Sequence, residues 1–328
     1  MGHSCRSVIC RRPRPGVTWE TTMAELDAAS RSAPAEAVVT PPEPRAWTRY
    51  LPALTGLGAL AAAAALAAFA HREAMPLWQP VSLALLAFSC EFVDSSLGMG
   101  YGTTLTPILL MTGYDLKVIV PVVLLSEFLT GLTAGGVHHA LGNCRFRLRS
   151  RDSGVAFVLA AAGIFGALGA VQFLIRVPRA TARLYFAIMI TAMGVLILLR
   201  RKANYRFSWP KIGALGLISS FNKGMSGGGY GPLVVSGQLL SGCEAKAAVA
   251  CTSLSESFVC LVALIGYAAA GVFPNPVLAF PIVLGAMLSS PCACAMTRFL
   301  DTKVDLRRVI GVIVLILGLL CFTRVPGA

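Results

Sequence analysis

The stretch Asp94 to Glu127, DSSLGMGYGTTLTPILLMTGYDLKVIVPVVLLSE, decides the fold, because an altered copy of it returns later in the chain. Moving the numbering on by 129 lays Gly98, Gly100, Tyr101, Gly102, Leu110, Gly113, Lys117, Val120, Leu125, Ser126 and Glu127 onto Gly227, Gly229, Tyr230, Gly231, Leu239, Gly242, Lys246, Val249, Leu254, Ser255 and Glu256 without a gap. Each copy has one plan: an apolar run, a glycine-rich break, a short apolar run, a turn, and a long apolar helix that carries one Glu. Interrupted hydrophobic segments in corresponding positions of two halves point to a binding site where the halves meet.

The bulk composition says where such a chain lives. Charged residues make up 13% of the 328 residues and the mean hydropathy is +0.72, whereas about a quarter of a soluble globular protein is charged. The chain is therefore expected in a bilayer. Lys and Arg number 28 against 15 Asp and Glu, a net charge of +13, which fits basic cytoplasmic loops; no nucleic-acid motif accompanies it. The cysteines Cys5, Cys10, Cys90, Cys144, Cys243, Cys251, Cys260, Cys292, Cys294 and Cys321 have neither zinc-site spacing nor a secreted disulfide pattern. Most read as small buried hydrophobes. Cys292 and Cys294 form the one close pair, with no His or acid beside them, so neither a metal nor a cofactor is expected.

Residues 1–50 hold RRPRP and PPEPR without apolar periodicity and read as a disordered basic tail; Met23 is a candidate start of translation. Leu51 to Ala70 is an Ala/Leu run of spanning length, about 20 residues at 1.5 Å each, and is expected as an extra transmembrane helix. The alternative is a signal peptide cleaved after Ala68-Phe69-Ala70, against which stand the length of the run and of its leader. A first repeat over 77–203 and a second over 204–328 follow. The first contains Val81 to Leu97, the half-span Thr103 to Met111, Val118 to Val137, Ser153 to Ile175 and Ala182 to Leu199. The second contains Ile212 to Asn222, a break from Gly224 to Gly231, the half-span Pro232 to Leu240, Ala245 to Ala270, Val277 to Met296 and Val309 to Phe322. Gly131 and Gly135 give the first long helix a face for close packing, and His138 and His139 at its end read as interfacial.

Charge orients these segments. The loops with Arg145, Arg147, Arg149 and Arg151, with Arg200, Arg201, Lys202, Arg206 and Lys211, and with Arg298, Lys303, Arg307 and Arg308 are expected inside. That places the N-terminus in the cytoplasm of a multi-pass plasma (inner) membrane protein. The first broken hairpin then enters and leaves from outside and the second from inside, so the repeats are inverted; five apolar segments per half give the same parity. The loop with Arg176, Arg179 and Arg183 must lie outside despite its charge. The fold expected is an all-α polytopic bundle of two inverted repeats, each with a re-entrant hairpin, plus one N-terminal helix.

The motifs GMGYGTTLTP with LLMTG, and GMSGGGYGPLVVSGQLLSG in the second half, resemble the TauE/SafE family of membrane carriers. That resemblance covers Val81 to the C-terminus and implies transport of sulfite or another sulfur-containing anion, such as a sulfonate or thiosulfate. The residues themselves also favour an anion. Irregular backbone at membrane depth survives only when buried in protein or lining a wet cavity, and each half-span begins at a break with unpaired N–H groups and a positive dipole end. The expected substrate-binding residues are Gly100, Tyr101, Gly102, Thr103 and Thr104 in the first copy, and Asn222, Lys223, Ser226, Gly229, Tyr230 and Gly231 in the second. Glu127 and Glu256, costly at the middle of membrane helices, are candidates for carrying a coupled proton or, alternatively, for capping the adjacent half-helix. Asp94, whose counterpart is Lys223, is a third proton-coupling candidate and is expected to form a salt bridge with that lysine. The partners are a small anion and lipid, with a homo-oligomer left open. An anion channel and a membrane thiol or redox enzyme are the alternative readings; the enzyme would need its cysteines at the breaks, where only Cys90 lies near.

Overall fold

The computed structural model describes residues 51–144, 146, 150–199, 208–240, 243–297, 306–323 and 325. The expected N-terminal tail, and most of the arginines that orient the chain, lie outside the described residues. Within them the structure is all helical, with eleven helices and no strand. In chain order these are α1 Leu51–Arg72, α2 Trp78–Leu97, α3 Tyr101–Met111, α4 Leu116–Ala140, α5 Arg151–Arg176, α6 Arg179–Leu198, α7 Trp209–Ser226, α8 Tyr230–Leu240, α9 Ala245–Ala269, α10 Pro276–Met296 and α11 Leu306–Phe322. Six of them (α2, α4, α5, α6, α9 and α10) are long and apolar enough to cross a membrane.

The helices begin and end where local chemistry dictates. The Asp115 carboxylate accepts the Lys117 N–H at 3.0 Å at the start of α4, and Asn275 accepts the Val277 N–H at 2.9 Å before α10, both ordinary side-chain caps. Helices α2 and α7 stop at Gly98 (φ 72°) and Gly227 (φ 70°), left-handed positions that favour glycine. The second break is therefore shorter than the sequence suggests. Lys223 and Gly224 are still helical, and Gly224 lies against Ala170 and Ala167 of α5, so its missing side chain serves packing and does not open the backbone.

The packing follows the repeat. Helix α2 lies on α10, as its counterpart α7 lies on α5; α4 lies on α10, as α9 lies on α5; α4 meets its own counterpart α9, and α6 meets α11. With no hydrophobic force between helices in lipid, such contacts need small residues that let backbones approach. A Cβ on Gly131 would come within 2.6 Å of the Ser253 carbonyl, and one on Gly135 within 3.1 Å of Leu254, so the small face of α4 packs on α9. Outward, Phe157, Phe165, Ile188, Ile265 and Phe273 are exposed, a surface suited to lipid. The three-arginine loop keeps less net charge than its sequence implies, since Asp115 pairs with Arg179 at 3.5 Å and Arg183 at 3.4 Å. Helix α1 stacks Phe69 on Phe280 of α10, with ring centroids 4.5 Å apart.

At the centre the two breaks touch through bare backbone. A Cβ on Gly102 would collide with the Gly227 carbonyl, one on Gly228 would lie 2.7 Å from the Gly102 carbonyl carbon, and one on Gly231 would collide with the Gly98 carbonyl. Gly102→Leu and Gly231→Leu should each lower stability by more than the about 1–3 kcal/mol of ordinary overpacking, read as thermal melting of the detergent-solubilised protein. Gly136→Ala, with open space around the added methyl, should melt like the wild type or slightly higher.

Candidate functional site

Because α3 and α8 start side by side, the first side chain of each points into the bundle. Tyr101 and Tyr230 are fully buried. The Tyr101 hydroxyl bonds the Ser126 hydroxyl at 2.6 Å, and the Tyr230 hydroxyl donates to Ser255 at 2.9 Å. Each pair ties a half-helix to the long helix of its own repeat, at the same spacing in both halves. One residue beyond each serine comes the glutamate. Glu127 and Glu256 converge on one buried ammonium: Lys223 Nζ is ion-paired with Glu127 and lies 2.8 Å from Glu256 Oε1.

The equivalent position in the first half holds Asp94, and the two charges are used differently. Asp94 Oδ1 accepts the Tyr101 N–H at 3.1 Å, a carboxylate on the positive end of α3. A lysine at the matching place would face a repelling dipole on α8, and Lys223 turns to the two glutamates instead. Among the described residues no ion pair joins Asp94 to Lys223, so the expected salt bridge across the two halves is replaced by the Glu127–Lys223–Glu256 bridge. The capping role weighed for the glutamates belongs to Asp94. At the second break Ser226 Oγ accepts the Gly228 N–H at 3.0 Å.

A fourth carboxyl completes the cluster. Glu91, one turn before Asp94 and 2% exposed, accepts from the hydroxyls of Ser95 at 2.5 Å and Thr130 at 3.2 Å. Glu91, Asp94, Glu127 and Glu256, with Ser95, Thr130 and Ser253, line a cavity of about 10 Å³. That is room for about one water molecule and too little for an oxyanion.

The other expected site residues are distributed unevenly. Gly102 and Gly231 form the crossing itself, while Gly100 and Gly229, at φ 137° and 81°, stand just before the half-helices, with Val93 beside Gly100 and Met189 and Asn222 beside Gly229. Thr103 turns its hydroxyl back to the Gly100 carbonyl at 3.2 Å, and Thr104 lies beside it in the first turn of α3. Ser226 donates to the Asn222 carbonyl at 2.7 Å. Asn222 points away from the cluster and accepts from the Tyr185 hydroxyl at 2.6 Å, at a separate apolar cavity with Phe165, Leu217 and Phe221. His138, expected at the interface, is fully buried. Sequence reasoning passed over Glu91, Ser95, Thr130, Ser126 and Ser255. The signal for the two serines was present, since each follows its tyrosine by the same interval in both copies.

The thiols gather elsewhere. Cys144, Cys243 and Cys251 line a cavity of about 420 Å³ with Asn143, Arg151, Asp152 and Glu244. In the connection after α4, burial and then the nearby Asp152 push the Cys144 thiol up to about 12. Burial raises the Cys243 thiol too, against the pull of Arg151. Thiols held in this way are poor nucleophiles.

A family model described as sulfite exporter TauE/SafE matches residues 83–321. The chain is also similar to a protein of Bacillus subtilis (strain 168) named "Probable membrane transporter protein YtnM", with 26% identity over 231 residues that cover 66% of this chain and 74% of the relative. No solved structure matches. The matched region holds both breaks and all four carboxyls. Tyr101→Phe and Tyr230→Phe should each cost the about 0.5–1.5 kcal/mol of one buried hydrogen bond and lower the melting temperature by similar amounts. A large drop for one variant and none for the other would show that the two halves are not equivalent here.

Proposed function

The chain belongs to the sulfite exporter TauE/SafE family, and from that premise we propose that it is a proton-coupled secondary transporter of a small sulfur-containing oxyanion, of the sulfite, sulfonate or thiosulfate class. The observation that carries the reading is the single buried Lys223 held between two equivalent glutamates. In a low-dielectric interior an ammonium already paired with two carboxylates has no attraction left for an anion, and the carboxylates repel it. Protonation of Glu127 and Glu256 neutralises both competitors and releases Lys223. An anion can then take their place beside the ammonium, with the N-terminal N–H groups of α3 and α8 close by. Anion and proton are bound in the same state, which is the requirement for symport.

The about 10 Å³ cavity then belongs to a closed state in which the carboxyls fill the centre, and alternating access has to open it. The reciprocal packing of the halves supports two repeats that rock about the crossing of the breaks. In this reading the repeats are inverted, the N-terminus is cytoplasmic and the protein sits in the plasma membrane. Binding by backbone donors and one ammonium selects for charge and size, whereas a set of arginines would select by fork geometry.

The test is uptake of labelled sulfite, thiosulfate and a sulfonate into proteoliposomes at several pH values. Apparent affinity should rise as the pH falls, because the protonated carboxyls leave Lys223 free. Glu127→Gln and Glu256→Gln should raise affinity at neutral pH and flatten the pH profile. Lys223→Ala should weaken binding by at least about tenfold, or about 1.4 kcal/mol. Uptake that does not saturate would favour a channel, and a pH profile unchanged in both glutamine variants would remove the coupling mechanism.

A further inference from the structure

The two breaks press on the opposite half-helices through one repeated contact, and its chemistry differs between the halves. Gly98 matches Gly227, and Thr106 matches Val235. A Cβ on Gly227 would lie 3.2 Å from Thr106 Oγ1, and one on Gly98 would lie 2.7 Å from Val235 Cγ2. Both side chains are fully buried. Where α8 offers a methyl, α3 offers a hydroxyl. One turn earlier the difference recurs: a Cβ on Gly228 would lie 2.9 Å from the Thr103 nitrogen, and the residue that matches Thr103 is Pro232, which has no N–H.

The Thr106 hydroxyl has no hydrogen-bond partner among the described residues. Other threonines of these helices behave differently: Thr133, Thr191 and Thr252 donate to the carbonyls of Leu129, Ala187 and Ala248, four residues back. A buried hydroxyl left unmet is costly, and a ligand that meets it relieves the cost. Side chains on a helix lean toward its N-terminus, which carries the Thr106 hydroxyl over the first turn of α3. In that turn Asp94 takes the Tyr101 N–H, while the N–H groups of Gly102 and Thr103 have no acceptor among the described bonds. Two N–H groups and one hydroxyl therefore share a face at the positive end of α3. The buried charges are near it on two helices. Gly227 donates its N–H to the Lys223 carbonyl at 2.8 Å. Val123, which a Cβ on Gly227 would approach to 3.1 Å, stands one turn before Glu127 on α4.

Resting on the carrier reading above, we infer that the anion is seated on this face of α3, with the Thr106 hydroxyl as a substrate-binding donor, and that the matching face of α8 holds none. The donors set the ligand class. Sulfite, a sulfonate and thiosulfate share a pyramidal SO3 group with three acceptor oxygens, and three donors on one face meet them all. A carboxylate has two oxygens in a plane and leaves one donor unmet. In the closed state the Gly227 carbonyl stands against Gly102, and Gly228 lies over Thr103, so bare backbone of the second half covers the seat. Rocking that draws Gly227 and Gly228 back uncovers the donors, and Lys223, once released by its glutamates, reaches the same anion from one turn away. The Asp94 carboxylate on the neighbouring N–H disfavours an anion here, which is why the ammonium is needed as well. One seat also means one anion in each cycle, although the frame repeats the position.

The test compares wild type with Thr106→Val, the side chain the other half uses at this contact, and with Thr106→Ser, which keeps the hydroxyl. Binding is read from the melting of the detergent-solubilised protein during titration with sulfite, thiosulfate, methanesulfonate or acetate, and transport from uptake into proteoliposomes. Without ligand, Thr106→Val should melt like wild type or higher, because the hydroxyl it removes has no partner in the closed state. Its affinity for the three SO3 anions should fall by about tenfold, the loss of one hydrogen bond to a charged group. Acetate should lose less, so the preference for methanesulfonate over acetate narrows. Thr106→Ser should keep the wild-type affinity and preference, and Val235→Thr should gain nothing. Wild-type affinity and preference in Thr106→Val overturn the seat, as does a loss in Thr106→Ser equal to that in Thr106→Val. Tighter binding by Val235→Thr overturns the confinement to α3. Wild type that binds the anions without moving them counts against the carrier reading and leaves the seat standing, whereas wild type that binds none of them overturns both.

Discussion

One ammonium shared by two carboxylates is the constraint on which the rest of the structure depends. Lys223, Glu127 and Glu256 are each costly to hold inside a bundle of apolar helices, and breaking such a pair leaves an uncompensated charge. The three are tolerable only if α4 and α9 come close enough for both glutamates to reach one lysine. That closeness is set by Gly131, where a methyl would meet the Ser253 carbonyl. The tyrosine–serine bonds hold the half-helices against the same two long helices. The charge bridge, the small-residue seam and the hydroxyl ties are therefore one construction.

The crossing of the two breaks explains why glycine recurs where it does. Gly102 and Gly231 are needed for the space around them, since the opposite carbonyl stands where a Cβ would go. Gly98 and Gly227 are needed for their left-handed backbone. A break between half-helices leaves polar backbone that lipid cannot satisfy, and here much of it is met by neighbouring protein: Asp94 at Tyr101, Ser226 at Gly228. The same arrangement puts two positive helix ends near a lysine, an excess of positive potential that the four carboxyls lining the small central cavity offset.

Much of this was legible in the sequence. The repeat located both breaks, both tyrosines and both glutamates, and the helices follow from apolar run lengths with ends displaced by a few residues. The pairing of charges was harder to read. Spacing put Asp94 opposite Lys223, but a position in a repeat does not say which way a side chain turns. The dipole of the following half-helix decides that, attracting one charge and repelling the other. Glu91 was visible one turn before Asp94, yet nothing local marks it as facing Thr130, which is 39 residues away. His138 beside a basic loop looks interfacial by composition. Its burial depends on the turn at 141–144 folding back to bring Asn143 over it, a tertiary event with no signature in periodicity.

What the two halves share and what they do not divide the molecule by role. The matched residues, the crossing glycines, the tyrosine–serine ties and the two glutamates, build a frame that treats both halves alike. The unmatched ones, Glu91 against Ser220, Asp94 against Lys223, His138 against Tyr267 and Asn143 against Val272, put two unduplicated carboxyls in one half and the cation in the other. A frame with two equivalent halves can rock between two equivalent states. If the frame rocks as proposed, charge that is not duplicated makes those states differ in how they hold a proton and an anion. Under the proposed coupling that difference is what gives a symmetric frame a direction, and it resides in a handful of side chains at positions where the repeat has diverged.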